Sequence, residues 1–287
     1  MSQTVTGGRR VAVIGHVEWA EFARVGHVPR AGDIVHASET WEEVGGGGSV
    51  AAVQLAKLAG GATFYTALGD DEVGHRAHRE LERHGVRVEA VFRDVPQRRV
   101  FVYLDDEGER TITTIGERLG PNGEDPLPWD ELADTDAVYF VASDRGAVEA
   151  GRRAHVVVAT SRVLSGLAEA RVRLDAVVGS GSDPNERYQL GSLMPTPGVV
   201  VLTAGREGGS YTTAAGETGT FEAAPLPGPV VDAYGCGDSF AAGLTYGLGA
   251  DMPLSEALEL AARCGAACLT GRGPYQGQLT LVRPEEP

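Results

Sequence analysis

Six short apolar runs, Val11–Ile14, Phe64–Ala67, Ala137–Val141, His155–Ala159, Ala176–Val178 and Val199–Thr203, consist almost wholly of Val, Ile, Ala and aromatic residues. Near-continuous apolar runs of this length suit strands covered on both faces, the condition inside a parallel sheet. Helical spacing runs through Ser49–Leu58, Glu72–His84, Arg145–Arg152, Arg162–Ala170, Ser239–Leu248 and Leu254–Leu269. Strand and helix in alternation predict a doubly wound, mostly parallel α/β sheet flanked by helices. A chain of 287 residues has room to build it as a single domain over 1–287.

Two segments break the alternation. Asp33–Trp41 alternates like an exposed strand, and Arg99–Ile115 reads as two β runs around Asp105-Asp106-Glu107-Gly108, a hairpin signal. A small β-sheet with strands at about 33–41 and 99–115, projecting as a lid, would accommodate both. Its apolar Ile34, Val100, Val102 and Ile112 invite pairing with a second copy, so a homodimer through the lid is expected. The Pro-, Gly- and acid-rich stretch 116–130 returns the chain to the main sheet.

The formal net charge of −15 and the isoelectric point near 4.9 argue against a broad basic surface for nucleic acid. An anionic ligand would have to be met by local amides or single arginines. Three cysteines without a C-x-x-C spacing, and an N-terminus (MSQTVTGGRR) without a long apolar stretch, predict a soluble protein of the reducing cytoplasm. No run approaches the ~18 apolar residues of a membrane span.

The chemistry concentrates in residues 230–243, VVDAYGCGDSFAAG. Gly235 and Gly237 allow a tight turn whose N–H groups point one way, at the start of a helix where the dipole favours negative charge. Asp238 lies where an anion would be held. It can cap the helix, or it can take a proton from a substrate hydroxyl while the amides of Gly235, Cys236 and Gly237 stabilise a transferring phosphoryl group. No Walker G-x-x-x-x-G-K-[ST] is present, so phosphate would be held by a glycine turn and Mg²⁺.

Five motifs, in order, resemble the ribokinase-like (PfkB) carbohydrate kinases nearly end to end. Gly45-Gly46-Gly47-Gly48-Ser49-Val50-Ala51-Ala52 stands where that family has G-G-x-G-A-N-x-A, and Gly69-Asp70-Asp71-Glu72-Val73-Gly74 is similar to G-D-D-x-x-G. The hairpin with Gly108-Glu109-Arg110 looks like the family's lid strands. Thr203-Ala204-Gly205-Arg206-Glu207-Gly208 follows T-x-G-x-x-G, and Asp232-Ala233-Tyr234-Gly235-Cys236-Gly237-Asp238 resembles D-T-x-G-A-G-D. The resemblance implies ATP-dependent phosphorylation of a sugar or sugar-like molecule, with Asp238 as base and the Gly235–Gly237 amides as anion hole. It places Thr203, Gly205 and Gly208 along the nucleotide phosphates, Gly273 in the loop beside adenine, and Gly45 and Gly46 at the substrate. It implies ATP and Mg²⁺, and in some members a monovalent cation such as K⁺ at the position of Asp232.

The chain departs from that pattern on the sugar side. Ala20 falls where the family has an Asp after the first strand, leaving Glu18 or Glu21 as a longer substitute; Gly47 stands where ribose-specific members have Lys, and Val50 replaces Asn. Losing polar contacts points to a different or less polar substrate. The family's N-x-x-E, which organises Mg²⁺, is altered to Ser180-Gly181-Ser182-Asp183, with Glu186 one turn later. Asp183 reads either as a Mg²⁺ carboxylate or as a turn residue before Pro184. Arg98 and Arg99 read as partners for a sugar phosphate or as solvated strand residues. Trp19 and Trp41 read as a wall for a ring, as in a nucleoside kinase of the same family, or as lid packing. His16 reads as a substrate contact or as a histidine satisfied by backbone. Cys264 and Cys268 share a helix face, which suits core packing better than metal, and Asp70-Asp71 suits a helix cap. A binding or regulatory protein with little catalysis is the reading from another class. A dinucleotide dehydrogenase is disfavoured, because His16 follows Gly15 where G-x-G-x-x-G would continue.

Overall fold

The computed structural model describes residues 8–281, so the first seven residues, read above as part of an N-terminus without a long apolar stretch, lie outside the described residues. Numbered along the chain, the strands are β1 (Val11–Ile14), β2 (Glu18–Arg24), β3 (Glu39–Gly45), β4 (Ala62–Gly69), β5 (Val86–Arg93), β6 (Arg99–Leu104), β7 (Arg110–Ile115), β8 (Ala137–Phe140), β9 (Val156–Thr160), β10 (Ala176–Ser180), β11 (Val199–Thr203), β12 (Gly209–Thr213) and β13 (Thr218–Phe221). The helices are α1 (Gly47–Ala59), α2 (Glu72–Arg83), α3 (Arg145–Gly151), α4 (Leu164–Ala170), α5 (Cys236–Gly249) and α6 (Leu254–Cys268).

Nine strands form one sheet in the order β13-β12-β11-β10-β9-β8-β1-β4-β5, and every pair from β11 to β5 is parallel. The six apolar runs are its centre. Their lack of alternation has the expected cause. Val11 and Val13 point into one core layer, with α1 and α5, while Ala12 and Ile14 point into the other, with α3 and α4. From β1 the chain proceeds to β4 and β5 on one side and later to β8–β11 on the other. The order therefore reverses between β1 and β8, and a crevice opens at the carboxyl ends of those two strands. Gly15 borders it so closely that a Cβ there would stand 2.9 Å from Val141 Cβ.

The second sheet has the order β3-β2-β6-β7. The 99–115 hairpin forms as expected, its tip closed by Asp105 Oδ1, which accepts from the N–H groups of Glu107 (3.0 Å) and Glu109 (2.9 Å). The strand expected over 33–41 is displaced: residues 33–38 carry no strand, and pairing with β2 begins where Ser38 N–H donates to Arg24 O (2.9 Å). The alternation in Asp33–Ala37 has no partner strand to bury it, and Ile34 is 88% exposed. β2 itself was not foreseen. Glu and Ala make EWAEFAR a poor strand former, yet β3 and β6 pair with both of its edges and bury Trp19 and Phe22. β5, β12 and β13 were also not foreseen: β5 carries two Arg and a Glu among its apolar residues, and β12 and β13 are short, half-exposed and without a continuous apolar run. Of the four apolar lid residues, Val100 and Val102 are core, and only Ile34 and Ile112 face outward.

Two further local expectations are refined. Arg162–Ala170 begins as a 3-10 turn, Ser161–Val163, in which Arg162 N–H donates to Thr160 Oγ1 (3.3 Å); the α-helix starts at Leu164. That turn leaves Arg162 at the carboxyl end of β9. Asp71 caps α2, accepting from Gly74 N–H (2.8 Å) and Gln97 N–H (2.9 Å). Cys264 and Cys268 are buried in α6, and no group of three or more His, Cys, Asp or Glu among the described residues is arranged to hold a metal. No helix among them is long and apolar enough to cross a membrane.

Candidate active site

Two helix N-termini meet over the β1/β8 crevice. Gly46 (φ 88°) turns the chain from β3 into α1, and Gly235 (φ 82°) turns it into α5. Both conformations are left-handed and open only to glycine at little cost. The first turn of α5 leaves the N–H groups of Cys236, Gly237 and Asp238 without a protein acceptor among the described residues, as expected at a helix start. Gly237 is exposed, and nothing lies within 4 Å of where its Cβ would be, so the turn opens to solvent. Unfilled amides at a dipole's positive end suit an anion.

Asp238 stands on that turn, facing α1. A Cβ at Gly47 would come 2.6 Å from Asp238 Oδ1 and 3.3 Å from Val141 Cγ1. Burial pushes the Asp238 carboxyl up to about 6, against the pull of Arg162 and then Arg110. Arg110 comes near the cleft because the hairpin is docked on the segment leading to α5: Ala233 N–H donates to Gly108 O at 3.1 Å. Arg162 is held by Glu186, which also accepts from Ser180 N–H (2.9 Å), and lies 3.6 Å from Asp183 Oδ2. Glu186 is buried, whereas Asp183 accepts from Asn185 N–H (2.9 Å) and starts a 3-10 turn. Sequence reasoning ranked Asp183 first. The structure puts both carboxylates on Arg162, with Glu186 the more enclosed. A Mg²⁺ ion suits this setting, because it keeps several waters and takes the remaining ligands from phosphates and one or two carboxylates.

On the small-sheet side, Glu18 is buried and accepts from Arg98 Nε at 2.7 Å. It is thus an anchor for Arg98, and burial still raises its carboxyl above the usual range. Ala20 packs against Gly45, whose Cβ would lie 3.1 Å from that of Ala20 and 2.8 Å from the Tyr234 hydroxyl. Gly45 is buried behind Gly46, and Gly46 N–H donates to Tyr234 Oη at 3.0 Å. This bond ties the two glycine turns together, and nothing in the sequence announced it. Tyr234→Phe should leave the buried Gly46 N–H unpaired and cost about 1–3 kcal/mol. A lower urea midpoint with unchanged slope would report it, and an unchanged midpoint would show that water replaces the hydroxyl.

The residues expected on the nucleotide side begin at the carboxyl end of β11. Thr203 closes β11, donating from Oγ1 to Gly179 O (3.3 Å), and Gly205 (φ 58°) and Gly208 (φ 79°) shape the turn after it. Gly273 (φ 63°) donates its N–H to Asp232 Oδ2 (3.0 Å), while Asp232 Oδ1 accepts from Tyr234 N–H (2.8 Å). Asp232 is fully buried, and burial raises its carboxyl. Both of its oxygens therefore hold backbone beside the glycine turn that starts α5.

Several smaller readings resolve. Trp19 is 2% exposed beneath Arg76, and Trp41 stacks on Phe22 at 4.7 Å, with Arg272 on its ring. Both indoles pack the small sheet. Arg99 lies 3.3 Å from Glu21 on a half-exposed surface. The Cys236 thiol is pushed up by the neighbouring Cys268 thiol and by burial, which opposes the thiolate that the helix start alone would favour. Arg162 and Arg110, the cations acting on Asp238, were not singled out from the sequence. Arg110 opens β7 and Arg162 lies in the 3-10 turn after β9, and a single arginine carries no local pattern.

Residues 9–162 and 174–280 match the family described as pfkB family carbohydrate kinase. An ATP-dependent ribose-1-phosphate kinase of Halopiger xanaduensis is 30% identical over 289 residues, covering 90% of each chain. A fructokinase of Salmonella typhimurium is 28% identical over 283 residues, 82% of this chain and 90% of that protein. Among solved structures, a ribokinase from Thermotoga maritima superposes with a TM-score of 0.77 at 20% identity, over 95% of this chain and 96% of that one. A microbiome-derived acarbose kinase gives 0.78 at 21%, over 95% and 96%. At such identities the superpositions speak for the fold alone.

Proposed function

Because this chain belongs to the pfkB family of carbohydrate kinases, we propose that it transfers the γ-phosphoryl group of ATP to a hydroxyl of a small sugar, with Asp238 taking the hydroxyl proton. The observation that carries this reading is the position of Asp238, on the first turn of α5 beside unfilled amides and directly against the start of α1. MgATP supplies the transferable phosphoryl group and the metal charge when bound. The protein's part is placement and charge. The Cys236 and Gly237 amides face the developing negative charge, and Arg162 and Arg110 add positive charge beside it. Glu186, with Asp183, is the carboxylate set available to a hydrated Mg²⁺. Thr203, Gly205 and Gly208 line the nucleotide side, and Gly273 with Asp232 borders the adenine and monovalent-cation side. The curated relatives include a kinase named for ribose 1-phosphate and one named for fructose, so the acceptor is a sugar of about that size.

The test is ADP release by the full chain with MgATP against sugars, sugar phosphates, polyols and nucleosides. Turnover on a sugar class supports the reading; turnover on nucleosides alone would replace it. The base must be ionised to accept a proton, so with Asp238 near 6 the rate should fall about tenfold per pH unit below that value and level off above it. A profile flat from pH 5 to 8 would remove Asp238 from the role. A homodimer formed through the outward-facing small sheet, where Ile112 and Ile115 of β7 are exposed, is part of the proposal. Sedimentation at monomer mass alone would discard it.

A further inference from the structure

We propose that the acceptor sugar already carries a phosphate, and that Arg118 and Arg98 bind it on the small-sheet side of the cleft while His16 meets a sugar hydroxyl. This rests on the kinase reading and narrows its substrate class.

The first observation is a set of arginines with too few partners. Arg98, just before β6, is nearly enclosed at 11% side-chain exposure, with Nε on Glu18 (2.7 Å) and Nη1 on Gly116 O (3.4 Å). Gly116 is two residues from Arg118, so this bond draws the two guanidinium-bearing segments together. Arg118 has no ion-pair partner among the described residues. Partial burial and the charge of Arg98, with a smaller push from Arg162, hold its guanidinium below its usual value, while Glu18 pulls the other way. The one carboxylate nearby, Glu18, is already taken by Arg98. Like charges gathered without a counterion are costly, and an arriving phosphate would relieve that cost with bidentate bonds.

The second observation is independent of charge counting. His16, at the carboxyl end of β1 in the crevice, is 8% exposed, and its Nδ1 has no hydrogen-bond partner among the described residues. Burial, then Arg118, Arg98 and Arg162, push the imidazole down to about 3, so it is neutral at physiological pH, and its 3.8 Å approach to Glu18 Oε1 is no ion pair. A neutral ring with a buried unpaired nitrogen is suited to a hydroxyl, and leaving it unpaired costs about 1–3 kcal/mol. Arg98 and Arg162 are engaged with Glu18 and Glu186, and Arg118 makes no hydrogen bond to Nδ1.

The third observation is what the sugar ring lacks elsewhere. Ala20 is buried against Gly45, Gly47 has no side chain, and Val50 packs against Gly235, 2.9 Å from where its Cβ would be. Three positions that could grip hydroxyls are apolar or bare. Affinity must then come from another part of the substrate, and the unpaired cations are the groups present to supply it. With the chain at −15 overall, such an attraction can only be local.

The experiment is calorimetric binding to the full-length protein at fixed salt, using ribose 1-phosphate, ribose 5-phosphate and fructose 6-phosphate against ribose and fructose, followed by ADP-release kinetics. At least one sugar phosphate should bind a hundredfold or more tighter than its free sugar. Arg118→Ala should weaken that binding at least tenfold and raise KM for the sugar phosphate, with the KM for ATP within twofold; Arg118→Lys should recover part of it. Arg118 is a surface residue whose guanidinium alone is partly enclosed, and it belongs to neither core layer, so the variant should fold, and its melting curve checks this. Free sugars bound and turned over as well as their phosphates would overturn the inference and leave the kinase intact. So would an Arg118→Ala variant with unchanged sugar-phosphate affinity. Tight, Arg118-dependent binding with no ADP released on any acceptor would uphold the phosphate subsite and instead sink the kinase reading.

Discussion

Asp238→Asn is expected to lower kcat by about 10²–10⁴-fold with ATP affinity near that of the parent protein. Asparagine keeps the shape of the side chain and leaves the amides of the α5 turn in place, so phosphate binding should survive. It cannot accept the hydroxyl proton. The same change should raise stability, and the sign follows from burial. The carboxyl titrates near 6 in the fold against 3.8 as its ordinary value, so the folded protein keeps a proton that the unfolded chain has lost between those values. Ionisation therefore works against the fold. Its cost is absent below about pH 4, grows between 4 and 6, and is fully present at 7. Removing the charge should stabilise the protein at pH 7 by about 1–3 kcal/mol, with no gain near pH 4. Single-turnover ADP release and melting at both pH values measure the two effects together. A variant with near-normal turnover would show that another group takes the proton.

Gly47→Ala is the second large effect. The new methyl would stand 2.6 Å from Asp238 Oδ1 and 3.3 Å from Val141 Cγ1, so the carboxyl has to move. A displacement near 1 Å at the reacting group costs about 10²-fold in rate. The backbone of Gly47 is helical, and alanine is the better helix former by about 1 kcal/mol, so stability should change little. The signature is a fall in kcat without loss of fold or of ATP binding. Gly48→Ala offers a contrast, because its methyl would meet His16 O at 2.6 Å and Phe64 at 2.7 Å; there the expected damage is to stability. An active Gly47→Ala enzyme would mean that Asp238 does not need its present position.

Gly47 also shows where sequence reasoning stopped. The residue was noticed as a missing lysine, a lost contact to sugar. In the fold it is the space that lets two helix starts approach each other over Asp238. Glu18 has a similar history. It was offered as a substitute sugar ligand, but Arg98, eighty residues away, claims it. Asp183 was ranked above Glu186 because it follows the strand directly, and local order could not show that Glu186 turns back to Ser180 and Arg162. On the fold side, β2 was invisible because Glu and Ala resist strand structure, and only neighbours on both edges impose it.

The features legible in the sequence are those encoded within a few residues. Apolar runs without alternation determined the parallel sheet, since a strand covered on both faces has no polar side to show. The glycines of 235–237, with Asp238 after them, determined a tight turn with free amides at a helix start, since a left-handed residue and unpaired amides are local properties. Which side chains face that turn was decided by tertiary structure alone. The sheet order reverses between β1 and β8, and that reversal brings residues 16–18, 45–47, 162, 186 and 238 to one crevice. The Tyr234 bond to Gly46 spans 188 positions in the chain. Charge pairing and burial depend on distance in space, and no spacing along the chain records them.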